Sequence, residues 1–333
     1  MSKKTRVALV YGGRSGEHEI SLRSAESVAA AMNPERYEIT RFLIDKDGHW
    51  SPRPIVPEPG AHPDIDVVFP ILHGTFGEDG TVQGLFELAD LPYVGGNVLA
   101  SSISMDKDMM KRICREKGLP VVDWIVLDRD GSADPSTGTV ETIAEKLSFP
   151  MFVKPANLGS SVGITKAHNI DELRTALKTA AEFDRKIIVE RGVVGREFEC
   201  AVLGNDHPAA AVPCEIFPSR EFYDYEDKYE LNLARTELPA NLSPDDIAEM
   251  RRLAVECFKT VGCEGMGRVD FLREEATGKL YINEINTIPG FTSISMYPKM
   301  WEYTGIPYSQ LIDRLIELAL ERHEQKKATR FTR

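Results

Sequence analysis

An α/β fold whose N-terminal part is built on a parallel sheet is predicted by two observations. Short apolar runs alternate with a helix-length segment: Val7 to Tyr11 reads as a strand, Ser21 to Met32 as a helix, Tyr37 to Ile44 and Asp66 to Leu72 as further strands. These strands close on loops of small and polar residues, Gly12-Gly13-Arg14-Ser15-Gly16-Glu17-His18-Glu19 and His73-Gly74-Thr75-Phe76-Gly77-Glu78-Asp79-Gly80. In parallel sheets ligands bind beyond the carboxyl ends of strands, where both loops fall. Neither loop has the G-x-G-x-x-G spacing, which argues against a dinucleotide site.

Further along, Ser104 to Gly118 reads as a helix and Val121 to Leu127 as a strand. Boundaries after Tyr93-Val94-Gly95-Gly96 and within Ile187-Ile188-Val189-Glu190 divide the chain into residues 1–95, 96–188 and 189–326, each of ordinary domain size, with 327–333 as a tail. Fraying is expected from Glu324 onward. The proline-rich stretch Pro52 to Gly60 reads as a surface loop.

Composition narrows the function. The 333 residues are 42% hydrophobic and 28% charged, ordinary for a globular protein, and the formal charge of −12 argues against nucleic acid as a partner. Five cysteines lie far apart without a C-x-x-C pair, which predicts free thiols in a reducing compartment and no zinc site. The apolar run after the basic start ends at Gly12-Gly13, too short for a signal peptide, and no stretch is long enough to span a membrane. A cytoplasmic location is expected.

The most informative segment is near the C-terminus. Gly267-Arg268-Val269-Asp270-Phe271 and Tyr281-Ile282-Asn283-Glu284-Ile285-Asn286 are β-type runs that carry charge where a buried strand should have none. Side chains alternate along a strand, so Arg268 and Asp270 share one face, as do Glu284 and Asn286. The intervening Glu274-Glu275-Ala276-Thr277-Gly278 is suited to a hairpin turn. If that hairpin sets Asp270 opposite Glu284 and Arg268 opposite Asn286, two carboxylates and an amide oxygen converge, a donor set suited to Mg²⁺ carrying phosphates. A solvated sheet face with cross-strand ion pairs is the alternative. Against it stands the turn from Asn286 through Pro289-Gly290 to Thr292, whose backbone N–H groups could meet a developing oxyanion.

A second constellation suits a nucleotide. Phe149 to Pro155 reads as a strand carrying Lys154, followed directly by Ala156-Asn157-Leu158-Gly159-Ser160-Ser161-Val162-Gly163. Small residues let backbone N–H groups approach an anion, and the hydroxyls of Ser160 and Ser161 add donors. The spacing is not that of a P-loop, and a plain Gly/Ser turn is the alternative. Lys154 and Lys107 favour ATP. Glu190, Arg191 and Val193 lie in a connector whose backbone could read an adenine edge, with Glu197 available to a ribose hydroxyl.

Taken together these motifs resemble the ATP-grasp superfamily, and within it the D-alanine:D-alanine ligases, over nearly the whole chain. The segments that carry the resemblance are Tyr11-Gly12-Gly13 to Leu22, Leu72-His73-Gly74 with Gly77 to Gly80, Ser104-Met105-Asp106-Lys107, Lys154 to Gly163, Tyr223 to Tyr229 and the two C-terminal strands. The resemblance implies a three-domain architecture in which two α+β lobes clamp ATP behind the N-terminal parallel α/β domain. It also implies joining of two D-alanines through an acyl phosphate for peptidoglycan precursors, by a homodimer. Lys107, Lys154, Ser160, Ser161, Glu190, Arg191, Val193 and Glu197 would surround the nucleotide. Asp270, Glu284 and Asn286 would hold two Mg²⁺, for which Mn²⁺ can substitute. Glu17 would take the ammonium of the first D-alanine, and Arg268 with the Gly290 N–H would face the carboxylate under attack. Lys228 and Ser295 would receive the second carboxylate, Ser160 and Tyr229 would link the loop to Glu17, His73 would lie near the first substrate, and Met296 would occupy a variable pocket position. Another ATP-grasp carboxylate–amine ligase, a D-alanine:D-lactate ligase and an inactive nucleotide-binding regulator are the competing readings.

Overall fold

The computed structural model describes residues 3–130, 137–218, 235–292 and 294–330. Its N-terminal sheet has β1 (Thr5–Gly12) between β2 (Tyr37–Ile44) and β4 (Val67–Ile71), both parallel to it, with the short β3 (Trp50–Ser51) antiparallel on the edge of β2. β4 is buried along its whole length, as a strand covered on both faces should be. The helix α1 (His18–Ala31) begins immediately beyond β1 and turns Ile20, Ala25 and Val28 inward. The predicted parallel α/β domain is therefore present.

The other two sheets are antiparallel throughout. The central lobe orders β5 (Trp124–Asp128), β8 (Lys186–Arg191), β6 (Met151–Pro155) and β7 (Thr165–Ala167). The helices α5 (Thr137–Leu147) and α6 (Ile170–Phe183) close a core of its own around Met151, Val153, Leu173, Leu177 and Val189. In the C-terminal lobe, β12 (Arg235–Glu237), β11 (Cys214–Phe217), β9 (Gly195–Gly204), β13 (Gly265–Glu274) and β14 (Leu280–Asn286) follow one another, with β10 (Ala209–Ala210) paired to β9. The helix α7 (Pro244–Thr260) buries Met250, Leu253, Cys257 and Phe258 against this sheet, and its first turn is capped by Ser243 Oγ, which accepts from Asp246 N at 3.1 Å.

Two expectations from sequence need correction. After α2 (Thr81–Leu88), the helix predicted from Ser104 to Gly118 is divided between two helices, the end of α3 (Val98–Met105) and α4 (Lys107–Glu116). Asp106 breaks it: its backbone is extended, and its side chain accepts from Asp108 N and Met109 N, each at 3.1 Å, restarting the helix at Lys107. The chain from Glu324 is also helical as far as Lys327, because α8 (Met296–Thr304) is followed by a long α9 (Tyr308–Lys327). Lys326 and Lys327 suit the negative end of that helix.

α8 and α9 pack back onto the first domain. A single core contains Val7 and Leu9 of β1, Phe69 of β4, and Phe291, Tyr297, Leu311 and Leu315 from the C-terminal end of the chain. Phe291 is its pivot, with ring centroids 6.2 Å from Phe69, 5.4 Å from Tyr297 and 6.0 Å from Tyr308, while its carbonyl accepts from Tyr308 Oη at 2.7 Å. Phe291→Ala is predicted to destabilise the protein by about 3–5 kcal/mol, the usual cost of emptying an aromatic core site. Urea unfolding measures this; a loss below about 1 kcal/mol would show that the junction does not depend on Phe291.

Candidate active site

The charged hairpin forms in the expected register. Arg268 pairs with Asn286 and Asp270 with Glu284, and a bulge follows between Asp270 and Phe271. Arg268 Nε and Nη2 each donate to Asp270 at 2.7 Å, a two-point charge-assisted contact, and Asn286 Nδ2 donates to Asp270 Oδ2 at 3.1 Å. Burial opposes the charge on Arg268, yet Asp270 and then Glu199 outweigh it and hold the guanidinium's pKa above its ordinary value. Because the Asn286 amide nitrogen turns toward Asp270, its oxygen is the atom left for a cation. Asp270, Glu284 and Asn286 thus supply the hard oxygen donors that Mg²⁺ prefers.

Asp270 and Glu284 of this patch floor a cleft of about 430 Å³ between the two antiparallel lobes. Lys107, Lys154, Ser160, Ser161, Glu190, Arg191, Val193 and Glu197 all line it with Asp270 and Glu284, so the structure brings the predicted nucleotide residues together. Lys154 Nζ donates to Glu190 Oε2 at 2.7 Å, and Lys107 Nζ donates to the Leu158 carbonyl at 2.6 Å while lying 3.8 Å from Glu284. Gly192 packs against the Pro150 carbonyl so closely that a Cβ would come within 2.5 Å of the oxygen, which explains why that connector carries no side chain there. Ser160 and Ser161 have φ of 52° and 60°, a left-handed conformation costing about 1–2 kcal/mol each in non-glycine residues. Such strain persists where surrounding structure holds it, and function is a common reason.

Lys111 escaped sequence reasoning. It is wholly buried, one helical turn beyond Lys107 on α4, and its Nζ lies 3.2 Å from Glu190 Oε1. Burial lowers the Lys111 pKa, opposed by Glu190. Burial also disfavours the Glu190 anion, but Lys111 and Lys154 outweigh that and bring its pKa down to about 2. The signal was available in the four-residue spacing from Lys107, which places both lysines on one face.

At the other end, Glu17 is 8% exposed beside the Gly/Ser loop. A Cβ added to Gly159 would lie 3.3 Å from Glu17 Oε2, and one added to Gly74 only 2.5 Å away, so both glycines permit the carboxylate's position. The Ser160 hydroxyl is buried with no hydrogen-bond partner among the described residues. Its expected partner Tyr229, and Lys228 with it, lie outside those residues. His73 is buried at the edge of a cavity of about 210 Å³ that Gly13 and Thr75 also line; its Nδ1 donates to the Ile288 carbonyl at 3.0 Å, and its Nε2 is 3.3 Å from Ser24 Oγ. Burial lowers its pKa, with Glu17 opposing. Glu78, also missed, accepts from Gly74 N at 2.8 Å and Ile288 N at 3.1 Å. Burial and the Glu17 charge outweigh those bonds and raise its carboxyl pKa to about 8. Ile288 is therefore gripped at both its N–H and C=O by the first domain, two residues before Gly290. Ser295 sits across the same turn, its Oγ accepting from Thr292 N at 3.0 Å, and Met296 opens α8 against the shared core.

Two antiparallel lobes facing each other across a lysine-lined cleft, with a carboxylate patch on its floor, define an ATP-grasp protein. The particular family follows from comparison with known proteins. Residues 113–317 match the family model for the D-ala D-ala ligase C-terminus, and residues 6–58 and 56–96 match that for the N-terminus. The sequence is 64% identical over 330 residues to the D-alanine--D-alanine ligase of Solibacter usitatus (strain Ellin6076), covering 99% of this chain and 100% of that one. It is 44% identical over 367 residues to D-alanine--D-alanine ligase A of Escherichia coli (strain K12), covering 99% and 100%. The solved D-alanine-D-alanine ligase from Coxiella burnetii superposes with a TM-score of 0.88 at 38% identity over 98% of this chain and 97% of that one. VanG D-Ala:D-Ser ligase from Enterococcus faecalis gives 0.85 at 34% over 95% and 100%. The chain belongs to the D-alanine–D-alanine ligase family, whose members use ATP and Mg²⁺.

Glu190→Gln should destabilise the protein by about 3–5 kcal/mol at neutral pH, since it leaves the buried Lys111 without its anion. The folded pKa of Glu190 lies below the ordinary carboxylate value of 4.5, so its contribution is complete above pH 4.5 and fades as the pH falls toward about 2. Urea unfolding of both proteins from pH 7 to pH 2.5 measures this. The difference between wild type and Glu190→Gln should narrow toward acid; a constant difference would contradict the charge argument.

Proposed function

We propose that this chain joins two molecules of D-alanine to D-alanyl-D-alanine at the expense of ATP, for peptidoglycan precursors. The observation that carries the reading is the antiparallel register that turns Arg268, Asp270, Glu284 and Asn286 to one face, beside a lysine-lined cleft. A carboxylate is a poor electrophile; transfer of the terminal phosphoryl group of ATP to it releases ADP and gives an acyl phosphate, from which the attacking amine, once deprotonated, displaces inorganic phosphate. Lys107 and Lys154 orient the phosphates, and the segment from Glu190 to Val193 seats the adenine, with Glu197 at the ribose. Asp270, Glu284 and Asn286 would hold Mg²⁺, two ions in our reading. When bound, the metal neutralises charge on the phosphate oxygens during transfer.

Glu17 fixes the ammonium of the first D-alanine, and Arg268 with the Gly290 N–H stabilises the oxyanion formed as the second amine attacks. Lys228 and Ser295 receive the second carboxylate. The Gly/Ser loop beside Glu17 keeps water from the acyl phosphate. Formation of ADP from ATP and Mg²⁺, with identification of the dipeptide, tests the reading. ADP release should depend on D-alanine, and release that ignores D-alanine would refute it. Parallel assays with D-serine or D-lactate alongside D-alanine decide the second substrate, where D-alanyl-D-alanine should dominate.

Glu284→Gln should cut ligation by more than about 100-fold, the upper end of losses seen when even outer-shell metal partners are removed, while leaving the far- and near-UV circular dichroism unchanged. Activity within tenfold of wild type at ordinary Mg²⁺ would remove Glu284 from the metal site. Glu17→Gln should raise the KM for the first D-alanine by about tenfold, because a neutral amide holds an ammonium less well than a carboxylate does, with the KM for ATP unchanged. An equal rise in both constants would show that Glu17 acts through folding.

A further inference from the structure

Asp270 has carboxylates on both sides. Across the sheet, β13 places it opposite Glu284 of β14 on one edge and opposite Glu199 of β9 on the other. Glu199 is 7% exposed and lines the cleft, yet the mechanism above gives it no part. Arg268 Nε lies 3.4 Å from Glu199 Oε2.

Both oxygens of Asp270 are engaged by other side chains in this structure. Oδ1 accepts from Arg268 Nε, and Oδ2 accepts from Arg268 Nη2 and Asn286 Nδ2. A cation drawing on those oxygens competes directly with Arg268. Arg268 is largely buried, and a buried guanidinium deprived of its anion is strongly destabilised. It must also stay in place, because its role is to meet the reacting carboxylate. A second anion already within reach of its Nε removes the conflict. Burial opposes the charge on Arg268, and after Asp270 it is Glu199 that does most to sustain it.

We propose that Glu199 is a positioning residue that takes over Arg268 Nε when the metal engages Asp270, so that metal binding and a fixed Arg268 are compatible. The inference rests on the ligase reading of the site and deepens it. It differs from a reading in which Glu199 is itself a metal ligand, because it acts only through Arg268.

A double-mutant cycle on the intact protein separates the two. Mn²⁺ binding is measured by electron paramagnetic resonance in the presence of ADP, which permits no turnover, and ADP affinity without metal is measured alongside. Glu199→Gln should weaken Mn²⁺ binding about tenfold, within the range for outer-shell partners, with ADP affinity unchanged. In an Arg268→Met background the same substitution should change Mn²⁺ binding by less than about twofold, since the residue through which it acts is gone. An effect below twofold in the Arg268 protein, or an equal tenfold loss in both backgrounds, overturns the proposal. The crystal structure of the wild-type complex with Mn²⁺ and ADP provides a test that needs no variant. With the guanidinium still in place, Arg268 Nε should have given up Asp270 Oδ1 for Glu199, closing below its present 3.4 Å; a two-point contact with Asp270 retained beside bound metal overturns the proposal. If wild type shows no Mn²⁺ binding with ADP at all, the ligase reading fails with it, whereas ligation without the predicted coupling leaves that reading intact.

Discussion

The pairing of β9, β13 and β14 in a single register is the constraint on which the site depends. It sets Glu199, Asp270 and Glu284 side by side and brings Arg268 to Asn286. Side chains alternate along a strand, so a slip of one residue in either strand would turn these groups to the opposite face and send Val269 and Ile285 into the cleft. Those two residues are buried in the core between the sheet and α7, which holds the register from behind. The apolar face thus fixes the polar one. The bulge after Asp270 interrupts the ladder where the chemistry is concentrated, in keeping with the tendency of bulges to re-aim side chains at functional sites.

Bringing so many charges out of water is possible only because each meets an opposite charge. Glu190 lies between Lys111 and Lys154, and Arg268 lies between Asp270 and Glu199. Such clusters contribute little net stability, since desolvation consumes most of the attraction, but removal of one member strands the rest. The arrangement therefore serves placement more than stability. It holds lysines and carboxylates in fixed positions before a nucleotide arrives, so that little reorganisation remains for the reaction.

The parts of the site that were legible in the sequence are local. The Asp270–Glu284 and Arg268–Asn286 pairs could be read because a hairpin joins neighbouring segments and the two-residue period decides the face. Glu199 lies 71 positions before Asp270, and nothing in the period of β9 reveals which strand it joins. The Glu78 contact with Ile288 spans 210 positions and depends on how two domains dock. Lys111 was readable in principle from its helical spacing, but a lysine on an amphipathic helix is usually solvated, and only the packing of α4 shows it buried. The break at Asp106 was hidden for another reason: the same residue type serves in helices and as a cap, and its backbone angles decide between them.

The distribution of cores determines which part of the clamp can close. The first domain and the C-terminal helices share one core through Phe291, and His73 and Glu78 grip Ile288 across the same junction. A shift there would expose aromatic surface and break buried hydrogen bonds next to Gly290. The central lobe has its own core, and it carries the strained Gly/Ser loop whose Gly159 lies against Glu17. Movement of that lobe would open the cleft through polar contacts, the Leu158 carbonyl to Lys107 and Lys154 to Asn283, because α4, which carries Lys107, is packed into the C-terminal lobe's core through Met110 and Cys114. Interfaces of that kind are where domain motion is least costly. The first domain and the C-terminal helices thus form the rigid half of the cleft's surroundings, and opening falls to the lobe that bears the Gly/Ser loop.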